Sequence, residues 1–419
     1  MTSQVVLINQ AGIAVASDSM VSWRRGKTLP TSSKIFELGL DHRVVVLHSG
    51  RTAIGGVQFE TLIREWAHQL PPYIATLSDY VKNFDDWLVT GMKKFDVSEE
   101  ILIKEVVAGE FSDFVEGRWF DWYLDPEFWS GVEEDNDRRC EIATAKLNEN
   151  LTSYRARFFT SDDVGTYADL SETQCRKMLR DLDVLHEFKR AAAAYFRTAD
   201  VDFNLINSSS DELVLFAAEL LGHRVYSADS SARLNFVGFG VEEPIGGCVE
   251  VEVRSIYGGH IRGTGVQARE PAAGSLEVGI FLIAQSQTME LLINGTNHRI
   301  WHALNEEFDC VWKAVDHSPE ERDLTFKATY IEHVMENLRH QSRHAVEDTI
   351  RSLNLSALTV FADSLLRLEV LGAVSRDEVA TVGGLVEVLS ISRREGGIQW
   401  HRKLSADLDH RQASSHLLG

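Results

Sequence analysis

Cysteine is scarce in this 419-residue chain: Cys140, Cys175, Cys248 and Cys310 lie far apart, and no CxxC pair occurs. That argues against a disulfide scaffold and a structural zinc site, and implies a reducing cytoplasm. Long apolar runs are absent too. None approaches the roughly 20 residues that cross a bilayer as a helix. The N-terminus lacks a charged-then-apolar signal segment, so neither a membrane partner nor export is expected. Basic residues are outnumbered, 42 Lys and Arg against 63 Asp and Glu, for a formal net charge of −21. A field of that sign repels phosphate backbones, and no basic patch relieves it, so no nucleic-acid partner is expected.

Several catalytic signatures are missing as well. No Gly-x-Ser-x-Gly elbow is present. The stretch Gly258-Gly259-His260-Ile261-Arg262-Gly263-Thr264-Gly265 lacks the Gly-Lys-Ser/Thr ending of a phosphate loop and reads as a flexible loop. His333, His340 and His344 share one face of an expected helix, but helix residues seven apart rarely share one ion. A solvated face is the better reading, and neither a metal nor a cofactor is expected.

What is present is an ordinary globular composition, 44% hydrophobic and 25% charged, on a chain beyond the roughly 100–200 residues of one domain. The first fifty residues read as strands. Val5-Val6-Leu7-Ile8 and Ile13-Ala14-Val15-Ala16 flank the turn Asn9-Gln10-Ala11-Gly12, a hairpin. Lys34–Leu38 and Arg43–Leu47 form a second pair. Two helices follow, one burying Phe59, Leu62, Ile63, Trp66 and Leu70, the next capped by Thr76 and burying Leu77, Val81, Phe84, Leu88 and Phe95.

Composition then shifts. Phe111, Phe114, Trp119, Phe120, Trp122, Tyr123, Phe128 and Trp129 crowd together among acidic residues, and Glu133-Glu134-Asp135 follows. Either this is an acidic, aromatic contact surface, or the aromatics form the core of a helical insertion. Asn207-Ser208-Ser209-Ser210 looks like its boundary. Beyond it, the pattern predicts a helix near 213–221 and strands near 234–238 and 249–253. A hairpin is expected over 276–283 and 289–293, then helices over 321–353 and 357–371, the latter capped by Gly372. Strands over 385–392 and 398–401 precede a polar tail. The expected units are 1–96 (first part of the core), 97–209 (helical, acidic and aromatic insertion), 210–404 (rest of the core) and 405–419 (tail). Two antiparallel sheets covered on both sides by helix pairs satisfy this order, an α+β, four-layer αββα sandwich.

Thr2 directly follows Met1. Methionine is normally trimmed before so small a residue, which leaves an α-amine and a hydroxyl on one threonine. The amine has an ordinary pKa of about 7.7–8.0, close to what a general base needs at neutral pH. One residue then supplies both nucleophile and base.

Asp18 ends the second strand and Lys34 opens the third. Counted from Thr2, these intervals resemble the proteasome β-subunit and its bacterial relative HslV, members of the N-terminal nucleophile (Ntn) hydrolases. The segment Arg43-Val44-Val45-Val46-Leu47-His48-Ser49-Gly50-Arg51-Thr52 is similar to the family's fourth strand. Arg376-Asp377, with Thr381 shortly before Gly383-Gly384-Leu385-Val386, is similar to its late motif. The resemblance covers about the first 95 residues well and the chain from about Leu234 in part. The insertion matches nothing recognisable.

The resemblance implies a threonine peptidase in which Lys34, held by Asp18, lowers the pKa of the Thr2 hydroxyl and amine. A backbone N–H around Leu47 would stabilise the oxyanion, with Ser49, Gly50, Asp377 and Thr381 in support. It further implies a homo-oligomeric ring or spiral, a peptide or unfolded-protein substrate, and an ATP-dependent unfoldase or activator as partner. Three departures keep other readings open. The family has glycine where Leu47 aligns, serine between two glycines where Phe239 stands in Gly238-Phe239-Gly240, and serine where Val382 stands. The alternatives are a catalytically inactive scaffold or regulatory assembly protein, and an Ntn amidase acting on a small amide. The insertion is expected to control assembly or access to Thr2.

Overall fold

The computed structural model describes residues 2–22, 28–29, 33–130, 136–159, 166–180, 182–196, 203–223, 231–263, 265–269, 278–314, 324–376, 382–393 and 397–404. Ten strands build the two larger sheets among these residues. In chain order they are β1 (Ser3–Asn9), β2 (Gly12–Asp18), β3 (Ile35–Glu37), β4 (Arg43–Gly50), β5 (Ala232–Phe239), β6 (Gly247–Val253), β7 (Gly265–Arg269), β8 (Gly279–Ala284), β9 (Val386–Ile391) and β10 (Ile398–Arg402). The first sheet has the order β8-β1-β2-β9-β10 and the second β7-β6-β5-β4-β3, every pairing antiparallel. The fold is thus mixed α/β on antiparallel sheets.

Strand alternation divides the apolar side chains. Val6, Val15, Val45, Leu47, Val237 and Leu389 join both sheets in one buried cluster. On the outer face of the second sheet, Val44, Val46, Phe236 and Val249 pack with α1 (Phe59–Ala67) and α2 (Leu77–Gly91). Thr76 caps α2 in a reciprocal capping box with Asp79, so two orphan N–H groups are satisfied.

The middle of the chain forms α3 (Glu99–Phe114), α4 (Asn136–Phe159), α5 (Glu172–Leu179), α6 (Val184–Phe196), α7 (Phe203–Ser208) and α8 (Ser210–Gly222). Phe111, Phe114, Phe120, Phe188 and Phe216 are fully buried together. The 111–129 aromatics therefore serve the insertion's own core, with Trp119, Trp122, Tyr123 and Trp129 half-buried against it. The same core takes Leu213, Phe216 and Leu221 of α8, so the helical unit runs past the serine-rich 207–210 stretch to Gly222. The Glu133–Asp135 run and the 405–419 tail lie outside the described residues.

After β8 come α9 (Gln287–Asn294), α10 (His298–Ala314), α11 (Leu324–Ser352) and α12 (Leu355–Arg376). Met289, Ile293, Ile350, Leu358 and Leu365 pack against the outer face of the first sheet with Val5, Leu7 and Val388. The expected hairpin over 276–283 and 289–293 is corrected: among the described residues there only Gly279–Ala284 is a strand, and Met289–Ile293 lies in α9. A short apolar run reads equally as strand or buried helix, and Met289 and Ile293, four apart, supply one helical face. Gly372 is corrected as well. It lies inside α12, not at its end, and a Cβ there would sit 2.1 Å from Thr288 Oγ1. Its smallness lets α12 and α9 touch. At this contact Glu369, fully buried, accepts the Thr288 and Met289 N–H groups at 2.6 and 3.0 Å and pairs with Arg376 at 2.7 Å. The carboxylate thereby caps the start of α9.

Candidate active site

Of the expected residues, Thr2, Asp18 and Lys34 lie together at one end of the space between the sheets. Thr2 stands just before β1, buried, and its carbonyl oxygen accepts the Gln285 N–H at 2.9 Å from the residue after β8. On β1, Val6 and Ile8 face the second sheet. By alternation Gln4 and Thr2 share that face, and Gln4 Nε2 indeed donates across to the His48 carbonyl at 3.3 Å.

Asp18 is the hub. Its carboxylate is fully buried and accepts four donors: Ser3 N–H at 2.9 Å and Lys34 Nζ at 2.7 Å on Oδ1, Gly383 N–H at 3.2 Å and Met20 N–H at 3.3 Å on Oδ2. Asp18 belongs to the first sheet and Lys34 opens the edge strand of the second, so the ion pair bridges the sheets rather than neighbouring strands. A third link runs beside it, Ser33 Oγ to Glu387 Oε2 at 2.9 Å. The late glycines dock here too, Ser19 N–H donating to Gly383 O and Leu385 N–H to Ser19 Oγ.

Burial shapes the charges. It lowers the Lys34 pKa, with the Asp18 and Glu387 carboxylates opposing. It raises that of Glu387, opposed by the Leu404 N–H and the Ser33 hydroxyl. His48 is pushed down to about 4, chiefly by burial, with the hydrogen bond to Arg51 O opposing and the Lys34 charge adding to the fall. Its ring stacks on Phe59, centroids 5.4 Å apart, while Nε2 lies 2.8 Å from Arg51 O. Because a carbonyl only accepts, that nitrogen carries the proton.

Leu47 is fully buried in the cluster joining the sheets. Arg51 N–H donates to Ser231 O and His48 N–H to Lys34 O, each at 3.0 Å. Amides alternate along an antiparallel strand, so the Leu47 N–H turns to Asn235 on β5 and the Gly50 N–H to the edge where Lys34 lies. The donor expected at Leu47 is therefore spent in the sheet. Gly50 has φ +80°, and a Cβ there would meet Ser231 O at 2.4 Å, so glycine is required. Ser49 is buried and its hydroxyl has no partner among the described residues. Asp377 and Thr381 lie outside the described residues.

Phe239 pairs with Arg43, at the opposite end of β4 from Gly50. The hydroxyl next to the Thr2 anchor is Ser286, buried one residue past Gln285 and donating to Glu290 Oε1 at 2.6 Å. Gln4, His48, Ser286 and Glu387 were not among the expected residues. Three carry a signal readable in the chain, a polar residue at an apolar-face position of a strand: Gln4 in β1, His48 in β4, Glu387 in β9. Ser286 has none.

Among the described residues no group of three or more His, Cys, Asp or Glu side chains could hold a metal ion, and no helix is long and apolar enough to cross a membrane. No family model matches the chain, and no curated protein matches it.

Proposed function

We propose that this chain is a proteasome-like N-terminal nucleophile hydrolase, a threonine peptidase with a four-layer αββα core that works in a homo-oligomer in the cytoplasm. The observation that carries the reading is the convergence on Asp18. Segments at residues 2–3, 18–20, 34 and 383–385, far apart in the chain, meet around one buried carboxylate and one buried lysine. Two facing sheets with helices packed on each outer face support the architecture.

With Met1 removed, the Thr2 amine takes the hydroxyl proton as the oxygen attacks a peptide carbonyl. The Lys34 cation favours the alkoxide, and burial makes its charge count for more. The Gly50 N–H, on the Lys34 edge, receives the oxyanion in place of that of Leu47. The Thr2 ammonium then gives that proton to the substrate's leaving nitrogen as the C–N bond breaks, and an acyl ester on Thr2 remains. Water hydrolyses the ester to release the carboxylic acid and free the Thr2 hydroxyl.

One observation favours the inactive-scaffold alternative: Leu47 fills the interior where the family keeps a glycine. A peptide boronate or vinyl sulfone decides between them after intact-mass measurement confirms loss of Met1. Capture at Thr2, abolished in Thr2→Ala and in Lys34→Met, is the expected outcome. A trimmed protein that captures nothing is a scaffold. Stability separates the pair's roles. Asp18→Ala, which strands a buried lysine and three N–H groups, should cost about 3–5 kcal/mol in urea unfolding, and Lys34→Met clearly less.

A further inference from the structure

A cavity of about 740 Å³ lies between β8, α9, α10 and α11, away from the Asp18 hub. That volume suits a small ligand or a short peptide. Three consecutive residues of β8, Ile280, Phe281 and Leu282, line it. Consecutive strand residues point to opposite faces, so what they share toward the cavity is the strand's edge. β8 is the last strand of its sheet, pairing with β1 on one side only among the described residues.

The chain carries −21 overall, yet two arginines line this cavity, Arg339 and Arg343, against one acidic residue, Glu290. Glu290 is engaged by Ser286. Arg343 donates through Nε to Glu347 at 2.7 Å, and Arg339 has no carboxylate partner among the described residues. Trp301 and Met335 add apolar wall. Asn294, also at the wall, has a buried Oδ1 that accepts nothing among the described residues.

We propose that this cavity is a binding site for a short peptide with a free C-terminal carboxylate. The backbone adds as a strand to the β8 edge, the carboxylate takes the guanidinium groups, a peptide N–H satisfies Asn294, and an apolar side chain lies against Trp301 and Met335. The site is separate from Thr2 but shares its scaffold. β8 ends one residue before Gln285, whose N–H holds the Thr2 carbonyl.

The test measures calorimetric binding of acetyl-Leu-Phe and of acetyl-Leu-Phe amide to the full chain carrying Thr2→Ala, which prevents turnover. The acid should bind at least about tenfold more tightly than the amide, the scale of a charge-assisted hydrogen bond. Arg339→Gln and Arg343→Gln should each erode that preference, and exchange of the 280–282 amides should slow on binding the acid. Arg339 is exposed, so its substitution carries the test even if Arg343→Gln, which also strands Glu347, lowers the melting temperature. Equal affinity for acid and amide overturns the proposal. So does an acid preference that survives both substitutions, unchanged exchange at 280–282, or no binding at millimolar peptide.

Discussion

His48 joins both sheets through its backbone, receiving Gln4 Nε2 on its carbonyl and donating its N–H to Lys34 O, while its ring is held neutral by burial. That neutrality has a consequence for stability. In the unfolded chain the ring takes a proton near pH 6.5, whereas in the folded chain it does so only near 4. Between those values the unfolded state binds more protons, so stability falls as pH drops. The full window is worth about 3 kcal/mol, from roughly 1.4 kcal/mol per pKa unit. Urea midpoints at pH 7, 5 and 4 should show wild type losing about that much more than His48→Gln, which keeps a donor for Arg51 O. Parallel losses in the two proteins would mean that His48 is not the group responsible.

Elements were legible where pattern and burial coincide. β1, β2 and β4 are legible as short apolar runs bounded by turns, buried on both faces, and α1 and α2 as apolar stripes with a period of about 3.6. Thr2 stands out by its place after Met1, and Asp18 and Lys34 by the resemblance of their intervals from it; in the structure the latter two pair. The failures have a common cause, contacts between segments far apart in sequence. Met289–Ile293 is helical because α11 and α12 close over it, and Gly372 is needed because α9 crosses α12 there, neither of which a local pattern encodes. Ser286 is placed only by the pairing of β8 with β1. The glycine invites a direct check. Gly372→Ala should cost about 1–3 kcal/mol from overpacking against Thr288, despite alanine's better helix propensity. Thr288→Ala removes the hydroxyl 2.1 Å from the new methyl, so the double variant should be more stable than the sum of the single effects predicts. Simple additivity in urea unfolding would show that the helices part freely at this point.

At the scale of the molecule, the acidity and aromaticity of the insertion separate into two roles. The aromatics face inward, so they hold the helical unit together instead of offering a surface. A pair of buried arginines after β6 helps tie that unit to the rest, beside the Arg51–Glu105 ion pair and the Ser255 hydroxyl on the Leu102 carbonyl. Arg262 forks onto Asp169 at 2.9 and 2.8 Å between the rings of Tyr167 and Tyr257, and Arg254 Nη2 meets Glu110 of α3 at 2.5 Å. Arg254 and Glu110 are 1% and 3% exposed, so neither charge has water to fall back on. Removing one partner therefore costs more than removing both. Arg254→Met should destabilise by about 3–5 kcal/mol at pH 7, and Arg254→Met with Glu110→Leu by much less. Burial already raises the Glu110 pKa and Arg254 opposes that rise. Without Arg254 the folded-state pKa climbs further above its unfolded value. A raised pKa contributes stability below the unfolded pKa and loses it as pH rises, so the deficit of Arg254→Met should shrink toward pH 4.5. A deficit that is unchanged with pH, or a double variant as weak as the single, would show that the Glu110 charge is not what the arginine serves. The same logic bears on access to Thr2. A bare deletion of 97–209 would strand Arg254, Arg262 and the apolar face of α8 at once, and loss of activity would then report unfolding. Arg254→Met with Glu110→Leu loosens the tie while leaving both cores intact. A change in Thr2 capture in that variant, at unchanged melting temperature, is the outcome expected if the insertion governs the site.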